Sequence, residues 1–209
     1  MRKIILLSLI LTSSVFLNAQ INAVTETGDE VILYQDGTWK YLNNISAERK
    51  QIPVNPKKYL KDEKSTFLVK SKKLNIGIWI NPKIWSFKKS TDKDASEFEF
   101  EKKGDDLYGM LISEKVEIPI ENLIDIAIEN AKSVSPDVKV VKREYRNVNG
   151  VQVLLMQLVG TIQGVKFTYY GYYYSNSNGT IQLIAYTSEN LFNEYLDEIE
   201  LFLNGFVKL

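Results

Sequence analysis

Aspartate and glutamate are the residue types of this chain whose spacing could support acid–base catalysis. Asp92 and Asp94 begin an acidic stretch, and Glu97, Glu99 and Glu101 follow at every second position. Alternate side chains of a strand share one face, so these glutamates could supply an acid and a base for hydrolysis. Charged side chains at alternate positions are also typical of the solvated face of an edge hairpin, and this structural interpretation is the more common one.

A calcium site is a second possibility for the acidic stretch, because Asp92, Asp94 and Ser96 alternate like the first ligands of an EF-hand loop. That loop needs Gly at its sixth position and Glu at its twelfth, where this chain has Glu97 and Lys103. A solvated loop is therefore predicted. The chain also has no His and no Cys, which excludes Ser-His-Asp and Cys-His nucleophiles and the usual zinc sites. No catalytic residue, metal or cofactor is assigned.

The run KFTYYGYYY, residues 166–174, holds five of the twelve tyrosines of the chain. Successive side chains of a strand point to opposite faces, so the run divides into two sets. One set is Phe167, Tyr169, Gly171 and Tyr173, and the other is Lys166, Thr168, Tyr170, Tyr172 and Tyr174. The gap at Gly171 favours the first face as core. The ladder Tyr170, Tyr172 and Tyr174 is a candidate ligand-binding surface, although ordinary cross-strand packing is favoured by strand propensity.

Four segments precede or contain these residues. Residues 1–19 have a basic start, a short apolar run and Ala19, the pattern of a cleaved signal peptide. Residues 20–42 predict a β-hairpin, because Asp36-Gly37 suits a two-residue turn between alternating strands. Residues 43–58 lose periodicity and predict a linker. Residues 59–209 predict one α+β domain.

Within the domain, periods of two and of 3.6 predict the elements that position the candidate residues. The predicted order is strands 67–69 and 74–80, a hairpin 98–113, a helix from Pro119 to Ser135-Pro136, strands 138–146, 151–160, 165–174 and 180–187, and a helix from about Ser188 to Gly205. The strand VQVLLMQLVG is apolar on both faces, so we expect it at the centre of the sheet.

This order resembles the PsbP-like or Mog1-like fold over about residues 65–209. The resemblance is carried by IWINPKIW, by the helix IPIENLIDIAIENAK, by the strands from VNGVQVLLMQLVG to IQLIAYT, and by LFNEYLDEIELFLNGF. It implies an α/β/α sandwich around an antiparallel sheet. It also implies binding or assembly more than catalysis, since the family includes photosystem subunits, a small-GTPase binding protein and bacterial periplasmic proteins. The DGTWKY hairpin is similar to segments of other exported bacterial proteins.

The sequence therefore predicts an exported protein, periplasmic or extracellular, that acts as a non-enzymatic binding or assembly module of the cell envelope. Its 26 basic and 26 acidic residues give no bulk charge for nucleic acid. The leader is too short for a membrane span, so an integral membrane protein is not expected after cleavage. An envelope protein is the expected partner. The alternative is a carboxylate-dependent hydrolase or carbohydrate-active protein that uses Asp and Glu residues of the region 92–106, with Glu99 and Asp105 as the positions to test.

Overall fold

The structure, a computed structural model, describes part of the chain: residues 21–24, 30–34, 37–41, 52–91 and 96–209. The predicted signal peptide 1–19, Asp92 and Asp94 lie outside the described residues. The chain divides into two units, Met1–Arg49 and Lys50–Leu209.

The first unit contains β1 (Ile21–Val24), β2 (Glu30–Leu33) and β3 (Trp39–Tyr41). The two strands on either side of the predicted turn, β2 and β3, pair antiparallel, and β1 adds a third strand beside β2. Gly37 has a φ of 82°, a left-handed conformation that glycine adopts without steric cost. Asp36, the other residue of the predicted turn, lies outside the described residues.

The second unit contains the remaining elements. Its strands are β4 (Val54–Tyr59), β5 (Phe67–Lys70), β6 (Ile76–Ile80), β7 (Trp85–Lys89), β8 (Phe98–Lys102), β9 (Tyr108–Glu114), β10 (Lys139–Val148), β11 (Val151–Ile162), β12 (Val165–Asn176), β13 (Gly179–Ser188) and β14 (Phe206–Lys208). Its helices are α1 (Ile120–Val134) and α2 (Glu189–Leu203). The predicted α+β class is confirmed.

The described strands of this unit form two sheets. The large sheet has the order β4-β10-β11-β12-β13-β9-β8-β7, and the small sheet has the order β14-β6-β5. Strand β11 lies between β10 and β12, as its two apolar faces predict. The β4–β10 pair is parallel, so the large sheet is mixed and the prediction of an antiparallel sheet is wrong at this edge.

Strand β4 also corrects the predicted linker, because residues 54–58 belong to it. Pro53 and Pro56 indicated irregular chain, but an outer strand tolerates proline since one side of its backbone needs no ladder partner. The strand is anchored at its end by Tyr59, which is 5% exposed.

The two helices pack against opposite faces of the large sheet. In α1, Leu123 and Ala127 belong to a cluster with Met156. In α2, Phe192 and Ile199 belong to a separate cluster with Leu155, the neighbour of Met156 in β11. Because adjacent residues of a strand point to opposite faces, each helix covers a different side. No helix among the described residues has the length and apolar character needed to cross a membrane.

Candidate functional site

Two members of the predicted tyrosine ladder lie beneath α2. Tyr170 is 2% exposed and Tyr172 is fully buried, and both pack in the cluster that contains α2. The other predicted face is covered in part by α1, since Tyr173 packs with the α1 residues. The helices therefore cover both faces of β12 at these positions, and the burial of the ladder, which the sequence left open, is found for Tyr170 and Tyr172.

The hydroxyl groups of the buried tyrosines surround Arg146 of β10. The Arg146 guanidinium donates to the Tyr170 hydroxyl at 2.8 Å and to the Tyr172 hydroxyl at 3.3 Å. The Tyr170 hydroxyl donates to Glu200 Oε1 at 2.8 Å, and Tyr172 donates to Asn204 Oδ1 at 2.8 Å. These tyrosines therefore connect the centre of the sheet to α2.

Two carboxylates balance the buried charge of Arg146. Its Nε lies 2.6 Å from Glu144 Oε1 and its Nη1 lies 3.0 Å from Glu200 Oε1. Burial raises the pKa of Glu144, but hydrogen bonds from Arg146 and Asn55 outweigh burial and leave that pKa lowered. Burial raises the pKa of Tyr170, so its hydroxyl stays protonated at neutral pH. Paired charges and satisfied hydrogen bonds are what a buried arginine requires.

The acidic stretch does not converge on a common partner. Glu97 accepts hydrogen bonds from Ser71 Oγ at 2.7 Å and from the Lys72 amide. Glu99 pairs with Lys88 Nζ at 3.1 Å and accepts from Ser90 Oγ at 2.9 Å. A hydrogen bond from Lys88, followed by the one from Ser90, lowers the pKa of Glu99. A general acid must carry its proton near neutral pH, which requires a raised pKa. The lowered pKa of Glu99 favours the ionised carboxylate, which cannot donate that proton.

Asp105, the other carboxylate of the hydrolase alternative, is also paired. It forms an ion pair with Lys102 and accepts a hydrogen bond from the Tyr195 hydroxyl at 3.0 Å. The hydrogen bond from Lys102 is the main cause of its lowered pKa. Within the described ranges, no group of three or more acidic side chains is placed to hold a metal ion.

A cleft opens where the backbone pairing between the neighbouring strands β11 and β12 stops. The β11–β12 register ends at Leu154↔Tyr173, although β11 begins at Val151 and β12 continues to Asn176. Backbone groups that would continue the ladder therefore border an opening of about 480 Å³, which we name the β11–β12 cleft. It is lined by Ile120, Tyr145, Gly150, Val151, Gln152, Leu154, Tyr173, Tyr174, Ser175 and Lys208.

Tyr173 carries an unused hydrogen-bonding group and lines both this cleft and a second cavity of about 160 Å³ beneath α1. The residue is 2% exposed, and burial raises its pKa, so the hydroxyl remains protonated. Every fully buried side-chain nitrogen or oxygen among the described residues has a hydrogen-bond partner. The Tyr173 hydroxyl has none within the described structure, so we place it at a cavity surface. A polar group in this position can bind a ligand at little desolvation cost.

The first turn of α1 lies at the same cleft, since Ile120 lines it. Pro119 precedes this turn, and no side chain caps the helix amides. The Ser175 hydroxyl oxygen accepts a hydrogen bond from the Ile118 amide at 3.3 Å. The Glu121 charge lies close enough to Tyr145 to raise its pKa, although burial is the larger cause. The cleft thus combines aromatic walls, uncharged polar groups and one lysine, Lys208.

Of the three predicted ladder residues, Tyr174 lines this cleft, whereas Tyr170 and Tyr172 do not line it. Sequence reasoning missed Tyr145, Gln152, Tyr173 and Ser175 as cleft residues. The period-two pattern located the strands that carry them. It contains no signal for the position at which the β11–β12 ladder stops, because that depends on three-dimensional register.

The likeness of this chain to known proteins lies in its fold. No protein-family model matches the chain, and no curated protein matches it. The solved structure of cyanobacterial PsbP (CyanoP) from Synechocystis sp. PCC 6803 is similar with a TM-score of 0.50 at 14% identity, over 68% of this chain and 92% of that chain. The fold is PsbP-like.

A second solved structure is also similar to this chain. LpqN of Mycobacterium tuberculosis, described as involved in cell envelope biogenesis, has a TM-score of 0.48 at 11% identity over 68% of this chain and 88% of that chain. At these identities the likeness concerns the fold, and the residues of a site must be argued from the chain itself. The Mog1 resemblance stays a prediction.

Proposed function

We propose that this chain is an exported, non-enzymatic binding or assembly module of the cell envelope, and that its ligand enters the β11–β12 cleft. Export is supported by the leader pattern of residues 1–19. The observation that carries the binding site is the opening of the ladder beyond Leu154↔Tyr173, next to the unpartnered Tyr173 hydroxyl. Concave sites with aromatic walls and a few polar groups are the usual form of small-ligand sites.

Binding is favoured over catalysis by the side chains that line the cleft. A catalytic serine needs a base within hydrogen-bonding reach of its hydroxyl. The Ser175 hydroxyl oxygen instead accepts from the Ile118 amide, and Lys208 forms no hydrogen bond with it. No carboxylate lines the cleft among the described residues. Of the predicted ladder, Tyr174 is the residue that we propose to contact the ligand, and Tyr170 and Tyr172 support the sheet behind it.

A variant that fills the cleft tests the proposal. Gln152 is exposed at the cleft, so Gln152→Trp should close the opening without disturbing the core. The matched control is Arg143→Trp, at an exposed position of β10 that does not line the cleft. Full-length protein is incubated with envelope extract, and retained molecules are measured by native mass spectrometry. We expect Gln152→Trp to lose the retained species and Arg143→Trp to keep it. Equal retention by both variants would place the binding site elsewhere.

A further inference from the structure

We infer that the β11–β12 cleft binds a neutral, hydroxyl-rich ligand of the mono- or disaccharide class. This inference rests on the proposed function, because it assigns a chemistry to the ligand of the same cleft. It is carried by three observations: the walls of the cleft, the balance of hydrogen-bond donors and acceptors, and the charges around it.

The walls offer flat aromatic surface. Tyr145, Tyr173 and Tyr174 line the cleft, with Leu154 and Ile120 beside them. Tyrosine combines a large apolar ring with a polar tip. A sugar has the complementary form, since its C–H groups pack on rings while its hydroxyls lie at the periphery. The volume of about 480 Å³ falls in the range of small-ligand sites.

The polar groups offer both donors and acceptors. Gln152 provides an amide, Ser175 a hydroxyl, and Tyr173 a hydroxyl that has no partner in the described structure. The open end of the β11–β12 ladder adds backbone amides and carbonyls beyond Leu154↔Tyr173. A sugar hydroxyl donates and accepts at once, so it satisfies such a mixed set. A carboxylate or phosphate ligand would use the donors and leave the carbonyl acceptors unpaired.

The charges favour a neutral ligand. Lys208 is the cation among the described lining residues, and it is exposed. The α1 amides add partial positive charge at the cleft. Glu121 offsets this charge, since it occupies the first turn of α1 and acts electrostatically on Tyr145. Glu121 therefore opposes both the α1 amides and the exposed Lys208, so an anion would gain only a small net attraction at the cleft, and a neutral ligand does not depend on charge.

The test is a titration of full-length protein followed by NMR chemical shifts. The probes are glucose, N-acetylglucosamine and cellobiose, with sodium phosphate and sodium acetate as anionic probes. We expect at least one sugar to shift the amide signals of cleft residues 150–154 and 173–175, with no saturable shifts for phosphate or acetate. Saturable binding of an anion and not of a sugar would overturn the inference.

Tyr173→Phe provides the second readout. It removes the unpartnered hydroxyl, so the folded state should be unaffected, and sugar affinity should fall by about three- to tenfold as one hydrogen bond is lost. The matched control is Tyr186→Phe on β13, which does not line the cleft. Equal sugar affinity in both variants would overturn the inference. If Gln152→Trp abolishes retention from extract but no sugar binds, the assigned ligand class fails and the binding function stands.

Discussion

At the scale of single residues, Arg146 determines how the two layers on the α2 side are joined. It is 2% exposed and contacts Glu144, Glu200 and two tyrosine hydroxyls, and its guanidinium lies 4.3 Å from the ring centre of Tyr59. Removing one partner from such a network leaves other charges buried and unpaired, which costs more than the network contributes in total. The effect of a substitution therefore depends on which charge remains.

Arg146→Met should be strongly destabilising. The expected loss is about 3 to 5 kcal/mol in the free energy of unfolding, because Glu144 and Glu200 lose their common partner. Urea denaturation followed by tryptophan fluorescence measures this loss. Lys142→Met is the control, since Lys142 forms a more exposed pair with Glu144 at 3.4 Å and should cost less than about 1 kcal/mol. Similar losses for both variants would contradict the assigned role of Arg146.

Arg146 also shows where residue-level prediction stopped. The period of two assigned Tyr170, Tyr172 and Tyr174 to one strand face, which the structure supports for the buried pair. The sequence left their burial open, because it does not show whether the second helical layer covers that face. Glu144 and Arg146 at alternate positions were the available signal, yet that pairing is equally common on surfaces. The partner of Arg146 from α2, Glu200, lies 54 residues away in the sequence.

At the scale of elements, the turn between α1 and β10 is fixed to the end of β11. Asp137 accepts hydrogen bonds from the Thr161 amide at 2.8 Å, from the Thr161 hydroxyl at 2.7 Å and from Ser135 Oγ at 2.8 Å. Gly160 permits this approach, because a Cβ there would lie 2.2 Å from Ser135 Oγ. The helix therefore ends at a defined position over the sheet.

This attachment gives stability a specific pH dependence. The bonds to the Thr161 backbone and side chain, and then to Ser135, lower the pKa of Asp137 from its ordinary value of 3.8 to about 2. A lowered pKa in the folded state contributes stability above pH 3.8, and this contribution is lost as the pH falls towards 2. Asp137→Asn should therefore lower the melting temperature at neutral pH and flatten its decline through that window.

Thermal melts at a series of pH values test this prediction. The control is Asp125→Asn, which removes an exposed carboxylate from the middle of α1. We expect the control to retain the acid-dependent decline of the natural protein. An identical decline in Asp137→Asn would show that the Asp137 attachment contributes no stability.

Element boundaries were predicted well where a local signal exists. Pro119 and Ser135-Pro136 marked the ends of α1, and Gly205 marked the end of α2. Strand β14 was not predicted, because its three residues are too few for a periodic pattern. Strand β4 was not predicted either, since its partner β10 lies far away in the sequence and its prolines resemble a linker.

At the scale of the whole molecule, the first strand of the unit Lys50–Leu209, β4, forms one edge of the large sheet. Strand β4 joins the large sheet beside β10, and Tyr59 at its end packs against Arg146. The Tyr59 carbonyl also accepts a hydrogen bond from the Asn149 amide at 2.9 Å. The domain boundary therefore lies before β4, at about residue 50, and not at residue 59 as the sequence predicted.

Two fragments distinguish these boundaries. Residues 50–209 should unfold cooperatively in urea, whereas residues 60–209 should be less stable by at least about 2 kcal/mol, because they lack the buried Tyr59 side chain. The measurement is the urea midpoint of each fragment under identical conditions. Equal midpoints would show that β4 contributes nothing and would restore the original boundary.

The large sheet ends in two outer strands of similar composition. Strand β4 carries the exposed Lys57 and Lys58 directly after Pro56, and β7 carries the exposed Lys88 and Lys89. A foreign strand that paired with β4 would have to accommodate two adjacent lysines and a residue with no amide hydrogen, and at β7 it would meet Lys89 beside the Lys88–Glu99 ion pair. These edges should therefore resist the addition of strands from other copies of the chain. The sheet can then leave the β11–β12 cleft open inside it while its outer edges remain unpaired.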